Sequence, residues 1–412
     1  RASGGCPGAF VGARDLTLRR SAAPLLGVLA AGCLFRLGNA FAAVALPWLV
    51  LDLSGSGLWA GAIASASLIA LVIGAFFGGA LIDRHGARRV AIIAGLASAV
   101  CVGAVPAIVQ LGPEALPFIA VLVAAGALLD SPGMTAQDNR IPELARLGQI
   151  PLARAVSLKS LIGNASFVAG PALAGISIGF GGASVALVIA FTCSMLSALL
   201  IAVWLPEARR RTKRNDGGML SAFGFIFRAP PLAYLTLLVM VVVGFTSTTT
   251  SVLLPSLFHQ AARAPQEFGL AASSIGAGSL CGALLLTIFP KLAGQFTALL
   301  VIVASLAMVP VALLPPLPAI LPLAFIYGLL LAPLGVALNT MLFIQAPQHL
   351  RGRVQSASAV LTLAAGIPIA LLTGLLVETL GSGMALMACM LATALATMCT
   401  QLWSRSADAG PR

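Results

Sequence analysis

The sequence predicts an all-α membrane protein in which twelve helices cross the bilayer and both termini lie in the cytoplasm. The first observation is composition: only 9% of the 412 residues are charged, 59% are hydrophobic, and the mean hydropathy is +1.03. A soluble exterior needs more charge, which excludes a soluble enzyme, a disordered chain and a secreted disulfide scaffold. The second observation is that apolar runs of about 20 residues, the length of a membrane-spanning helix, recur along the chain. Such unbroken runs exclude an outer-membrane barrel, whose strands alternate polar and apolar residues.

Polar or Pro/Gly-rich breaks separate the apolar runs and place the predicted helices in order. The predicted spans are residues 24–50, 60–81, 90–109, 116–137, 155–178, 184–204, 230–254, 268–288, 296–314, 319–343, 355–377 and 383–403. A basic stretch after the sixth span divides them into six and six. The predicted domains are a cytoplasmic N-terminal segment 1–21, a six-helix bundle 22–204, a cytoplasmic linker 205–229, a second six-helix bundle 230–403 and a cytoplasmic tail 404–412.

The distribution of Lys and Arg predicts the orientation of the helices, because these residues accumulate in cytoplasmic segments. All but two of the 24 basic residues fall on one side of the predicted membrane, and the exceptions are Arg36 and Arg263. The opposite side carries Asp52, Glu114, Glu267 and Glu378. The net charge of +12 is therefore a topology signal. Nucleic acid is not predicted as a partner, because the basic residues are dispersed and no aromatic residues alternate with them.

The sequence predicts no enzyme activity, cofactor or metal site. A phosphate-binding loop ends in Gly-Lys-Ser/Thr, and the only lysine that precedes a serine, Lys159, follows a leucine. The His-Glu-x-x-His zinc motif is also absent. The cysteines show no pair spacing that suggests a metal or a disulfide, and they are interpreted as small apolar packing residues. Any work by this protein must therefore draw on a gradient.

The most specific segment lies between the second and third predicted helices and reads Gly79-Ala-Leu-Ile-Asp-Arg-His-Gly-Ala-Arg-Arg89. It closely resembles the G-x-L-A-D-R-x-G-R-K signature of the major facilitator superfamily. The resemblance implies two six-helix bundles and a conformational latch made by Gly79, Asp83, Arg84, Gly86 and Arg88, which holds the cytoplasmic side closed when the carrier faces outward. Physically, the glycines permit a tight turn, while the arginines bind helix-end carbonyls and lipid phosphates. A topogenic basic loop is the alternative, and it leaves the Gly/Asp spacing unexplained.

A second motif, in the fifth predicted helix, runs from Gly170-Pro171 to Gly175 and resembles the G-P-x-x-G-G element of superfamily antiporters. Helix packing alone is the alternative explanation for these glycines. Segments 128–132, 223–230 and 350–354 resemble the drug:proton antiporter branch that holds macrolide and enterobactin exporters. The resemblance implies a monomeric, multi-pass carrier in a bacterial cytoplasmic (inner) membrane, which exports a hydrophobic or amphiphilic small molecule such as a drug, siderophore or metabolite. Export would proceed by proton antiport with alternating access. Two alternatives stay open: a symporter or uniporter that imports a small metabolite, and a non-transporting sensor or scaffold.

Lys159 is assigned to the cytoplasmic loop before the fifth helix, so Arg36 and Asp130 are the two charged residues that fall deep inside predicted helices. A lone ionised group persists there only with a partner or water. At 1.5 Å per residue the two residues lie at similar depths. We expect Asp130 to take up and release the proton, with Arg36 favouring its ionised form when the two are paired. The alternative is that Asp130 caps a helix break before Pro132 while the Arg36 side chain extends toward water.

Polar residues of helices one, seven and ten are the predicted contacts of the transported molecule. Asn39 follows Arg36 by three residues and shares its helix face. The predicted cavity residues are Asn39, Thr246, Thr249, Thr250, Tyr327 and Asn339. Hydroxyl groups within a membrane helix can instead bond the backbone four residues earlier. A wide apolar cavity with scattered hydroxyls suits amphiphilic organic molecules better than sugars.

Overall fold

The first half of the protein is six helices. The computed structural model describes residues 22–207, 219–228, 230–289, 296–346 and 351–408. The first helices are α1 (Ala23–Ser54), α2 (Gly57–His85), α3 (Ala87–Ile108) and α4 (Leu116–Asp138). The stretch Leu152–Trp204 bends at Gly181 and Gly182 and so supplies both α5 (152–180) and α6 (183–204). A 3₁₀ segment, Val109–Ala115, joins α3 to α4, and a short helix, Ile141–Leu147, precedes α5.

The second half repeats this arrangement. Its first helix, α7, is built from Pro230–Thr248, a π-helical turn Thr249–Leu253 and Leu254–Gln260. The remaining helices are α8 (Pro265–Ile288), α9 (Thr297–Met308, continued by the 3₁₀ segment Val309–Leu313), α10 (Leu317–Gln345), α11 (Arg351–Leu380) and α12 (Ser382–Asp408). A short amphipathic helix, Met219–Arg228, precedes α7.

The prediction of twelve transmembrane helices is confirmed. In the described part of the chain, nine helical stretches are long and apolar enough to cross a membrane. Two of them, 87–147 and 152–204, contain two spans each, and Thr297–Leu313 is a shorter apolar helix. Some predicted features lie outside the described residues: the N-terminal segment 1–21, residues 208–218 and 229 of the linker, Lys291, and the last residues of the tail, 409–412.

The outer surface of the bundle carries large apolar side chains, as helices that face lipid require. Phe77, Ile93 and Phe180 are 62%, 65% and 88% exposed. In water such exposure would be costly, but hydrocarbon tails are as apolar as these side chains. Among the described residues, the charged side chains lie at or near the helix ends or inside the bundle.

Two buried or half-buried arginines fix the cytoplasmic end of α6. Arg88 Nη2 donates a 2.6 Å hydrogen bond to the Ala202 carbonyl, and Arg140 Nη2 donates a 2.9 Å bond to the Pro206 carbonyl. Arg140 also forms a 2.9 Å ion pair with Glu143. These cations lie at the negative end of the α6 dipole, where they are stabilising.

We expect Arg140→Ala to destabilise the first half. The Arg140 side chain is only 5% exposed, so its loss leaves the Pro206 carbonyl without this donor, at about 1–3 kcal/mol for a buried polar group. Thermal unfolding in detergent should therefore show a lower Tm for this variant than for Arg154→Ala, in which the replaced arginine is exposed. Equal Tm values for the two variants would contradict the assigned role of Arg140.

The two halves meet along the outer parts of α2 with α11 and α5 with α8. A Cβ added at Gly61 would lie 2.6 Å from the Ala370 carbonyl oxygen, and one added at Gly175 would lie 3.0 Å from Gly269 Cα. Small residues let helix backbones approach this closely inside a membrane. Toward the cytoplasm, α2 instead packs on α4 of its own half, with Gly78 against Pro132. The described structure is therefore closed on the outer side.

Candidate functional site

A cavity of about 410 Å³ lies between the two halves. Helices α1, α4 and α5 form one wall, and α7 and α8 form the other. The residues that line it are Arg36, Asn39, Ala40, Ala43, Val44, Met134, Gly163, Ser166, Phe167, Pro171, Ser247, Thr250, Ser251, Phe268 and Ala272. Among these lining residues Arg36 alone is charged. Mostly apolar walls with a few polar groups are typical of sites that bind small organic molecules.

The π-helical turn of α7 shapes the second wall. Pro255 has no N–H, so it cannot bond the Ser251 carbonyl, and the wider turn Thr249–Leu253 directly precedes it. The turn brings Thr250 and Ser251 to the cavity, and Thr249 is fully buried. Single π turns are frequent at functional sites.

A three-residue charge cluster lies at the cytoplasmic end of the cavity. Asp138, the last residue of α4, forms a 2.7 Å ion pair with Lys159 Nζ of α5. Its other carboxylate oxygen lies 3.9 Å from Arg36 Nη2 of α1. All three side chains are about 30% exposed. Arg36 therefore reaches both this cluster and the main cavity.

Asp130 has different partners from those predicted. Ser98 Oγ of α3 donates a 2.6 Å hydrogen bond to Asp130 Oδ1, and the Asn39 side chain of α1 lies beside the same carboxylate. In this structure Arg36 pairs with Asp138 instead of Asp130. Asp130 lies two helical turns above Asp138, about 12 Å along α4.

The direction of helical side chains explains this difference. Side chains lean toward the N-terminus of their own helix. In α1 this direction carries the Arg36 guanidinium toward the cytoplasm, and in α4 it carries Asp138 toward the membrane centre and Asp130 further outward. Equal Cα depths for Arg36 and Asp130 are therefore not sufficient for contact.

The sequence reasoning missed Asp138 and Lys159 as interior charges. The predicted fourth span stopped at 137, and Lys159 was counted with a cytoplasmic loop although α5 begins at Leu152. Opposite charges at the facing ends of α4 and α5 were the signal that could have revealed the pair.

The six predicted cavity residues divide into two groups. Asn39 and Thr250 line the cavity. Thr246 is half-buried and lies 3.1 Å from the Tyr327 hydroxyl, and Thr249 bonds the Phe245 carbonyl. The structure buries Tyr327, which is 2% exposed, and places Asn339 at an exposed position on α10, where it bonds the Gly335 carbonyl. Thr249 and Tyr327 therefore belong to the core of the second half. A large ring is stable in such a core, and so is a hydroxyl group that has a hydrogen-bond partner there.

The loop motif between α2 and α3 adopts the predicted tight turn. Gly86 has φ +87°, a conformation that glycine adopts without steric cost, and it connects the two helices directly. Arg88 binds the end of α6 as described above. Gly79, Asp83 and Arg84 are exposed.

The helix-five motif lies where the halves cross. A Cβ at Gly170 would overlap Ala40 of α1, and the Pro171 carbonyl oxygen lies 2.5 Å from a Cβ placed at Gly269. The Ala172 N–H donates a 2.8 Å bond to Ser273 Oγ of α8. The motif thus joins α5 to the opposite half as well as to α1.

The outer ends of the helices carry a polar seal between the halves. Asp52 at the end of α1 forms a 2.9 Å contact with His259 Nε2 of α7. Ser56 Oγ donates a 2.8 Å hydrogen bond to Glu378 of α11. The Trp48 and His259 rings lie edge to face, 5.4 Å apart, beneath the first of these pairs. These contacts close the cavity from the outer side.

Comparison with known proteins identifies the family to which this architecture belongs. Residues 28–367 match the family model of the Major Facilitator Superfamily. The multidrug efflux pump Tap of Mycolicibacterium fortuitum is 34% identical over 369 residues, which cover 87% of this chain and 90% of that protein. The multidrug efflux pump Tap of Mycobacterium tuberculosis is 33% identical over 394 residues, with 92% of each chain covered.

Solved structures share the fold at lower identity. The nucleoside transporter NupG aligns with a TM-score of 0.73 and 14% identity, covering 92% of this chain and 98% of that chain. A bacterial homologue of the iron transporter ferroportin aligns with a TM-score of 0.70 and 17% identity over the same shares. The twelve helices, the cavity between two halves and these matches lead to one conclusion: the chain belongs to the Major Facilitator Superfamily and is a multi-pass membrane transporter of small molecules, not an enzyme.

Proposed function

We propose that this protein exports hydrophobic or amphiphilic small molecules across a bacterial inner membrane, as a monomer, in exchange for protons. The observation that carries the proposal is the cavity of about 410 Å³ between the halves, whose walls are mostly apolar and include Phe167 and Phe268. Such walls bind varied apolar molecules, whereas a sugar requires dense hydrogen-bonding groups. Relatives at 33–34% identity over about nine-tenths of the chain are named multidrug efflux pumps, which supports export of drugs.

Asp130 is the residue we assign to proton transfer. Its partners Ser98 and Asn39 carry a hydroxyl and an amide, which can donate to a carboxylate or accept from a carboxylic acid. Asp130 therefore keeps hydrogen bonds in both protonation states. Asp138 faces Lys159 and Arg36, which only donate, so this cluster binds the carboxylate form alone.

Asn39 connects the proton site to the cavity, because its side chain lies beside Asp130 and lines the cavity wall. When Asp130 binds a proton, its new O–H can donate to the Ser98 hydroxyl oxygen or to the Asn39 amide oxygen. A rotation of the Asn39 amide would then present a different group to the transported molecule. In this way proton and cargo can bias the same equilibrium between outer-closed and outer-open states.

Export is tested most directly in cells. A bacterium that lacks its own major efflux pumps, expressing this protein, should accumulate less of a fluorescent amphiphilic dye such as Hoechst 33342, which has a terminal phenyl ring and a polar piperazine, than cells with an empty vector. A protonophore should remove the difference. Higher accumulation in the expressing cells would indicate import and contradict the proposal, as would export that persists unchanged with the protonophore.

A further inference from the structure

A second pocket, of about 190 Å³, lies beside the main cavity toward the outer side, between α1, α2 and α7. Ala43, Ser247 and Ser251 line both spaces, so the two adjoin each other. Along α1 the pocket extends to Pro47 and beyond, about 12 Å from Asn39. It is therefore separated from the polar end of the cavity by roughly the length of a drug-sized molecule.

The walls of this pocket are mostly apolar. They include alanines of α1 and α2 together with Leu46 and Ile63, and no charged residue is among the described residues that line it. Its polar lining residues are Ser67, Ser247 and Ser251. The Ser67 hydroxyl donates a 2.8 Å hydrogen bond to the Ile63 carbonyl and so has a partner within its own helix. The described lining offers a polar group three serine hydroxyls, one of which is already bonded, whereas an apolar group leaves water for mostly apolar walls.

The volume of the pocket limits what it can hold. A cavity of about 150 Å³ lined by apolar side chains stays dry and binds one benzene molecule. The present pocket is of similar size because small residues, including Ala60 and Ala64, face α1 at this level. One six-membered ring therefore fits.

We propose that this outer apolar pocket binds a single ring, or an apolar group of similar size, of the transported molecule. The inference rests on the proposed export function and narrows its cargo to molecules that carry such a group about 12 Å from a polar end held near Asn39 and Arg36. The small pocket then supplies affinity by burial, and the main cavity orients the polar part.

Photolabelling tests the pocket independently of transport. Purified protein in lipid nanodiscs is irradiated with 3-trifluoromethyl-3-(3-iodophenyl)diazirine, a one-ring apolar probe, and the labelled residues are identified by mass spectrometry. We expect label in segments 42–50 and 60–68 of the wild type. Ala64→Leu and Leu46→Phe, which fill the pocket from opposite sides, should lose this label. Ile69→Phe should retain it, because Ile69 of α2 is 45% exposed and is not among the residues that line the pocket.

Two outcomes would overturn the inference: no label in these segments of the wild type, or equal label in the filled variants with unchanged thermal stability. The cell assay separates this failure from failure of the proposed function. Dye export without pocket labelling would contradict the proposed role of the pocket but not the export function. Pocket labelling without dye export would contradict the proposed export function. The pocket would then be an apolar binding site that serves some other function.

Discussion

Asp130→Asn should abolish uphill, proton-driven export and retain downhill exchange of the cargo. Asparagine has the shape of the protonated acid and can still bond Ser98 and Asn39, so the fold and the cavity should persist. Asparagine cannot release a proton, however, so the proton gradient can no longer drive the transport cycle. Vesicles containing the variant should accumulate dye against a gradient no better than vesicles without protein. Binding of the dye should also lose its dependence on pH.

Glu114→Gln is the matched control for this substitution, since Glu114 is an exposed carboxylate between α3 and α4 and faces no cavity residue given above. It should transport like the wild type. Uphill export by Asp130→Asn at the rate of the control would remove Asp130 from the coupling mechanism and point to the Asp138 cluster instead.

Gly374→Val should arrest transport by preventing closure of the outer side. A Cβ at Gly374 would lie 2.7 Å from the Gly57 carbonyl oxygen and 3.0 Å from Gly61 Cα, and backbone atoms cannot rotate away. Overpacking of this kind costs about 1–3 kcal/mol, which is enough to shift the balance between the two states by about 5- to 150-fold. The arrangement described here, closed on the outer side, would then be poorly populated.

Accessibility of the cavity measures this shift. A cysteine at Ser251 should react with a membrane-impermeant maleimide from the outside faster in Gly374→Val than in the otherwise wild-type protein. Gly335→Val is the control, because a Cβ at this helical glycine meets no atom within 4 Å. Equal labelling rates in all three proteins would show that the α2–α11 crossing does not govern closure.

The membrane architecture could be predicted from the sequence because it depends on local composition. Twenty apolar residues define a span wherever they occur, and the distribution of arginine sets orientation without any tertiary contact. The turn at Gly86 was predictable for the same reason, since a positive φ is a local requirement.

The site depended on tertiary contacts that sequence spacing does not encode. The pairing of Asp138 with Lys159 requires the ends of α4 and α5 to face each other. Burial of Tyr327 depends on how α10 rotates against α7, where Thr246 meets its hydroxyl. Gly175 could be read as a packing glycine, but its partner Gly269, more than ninety residues away, appears only in the fold. Depth counting failed for Arg36 because it ignored the direction of the side chain.

Proton movement in proteoliposomes tests the central claim most directly. Purified protein is reconstituted with the pH indicator pyranine inside and equal pH on both sides, and the exported dye is added outside. Antiport predicts that dye entry drives protons out, so the lumen becomes alkaline, and that Asp130→Asn shows no pH change. Acidification of the lumen as the dye enters, or dye entry by the wild type with no pH change, would contradict proton antiport.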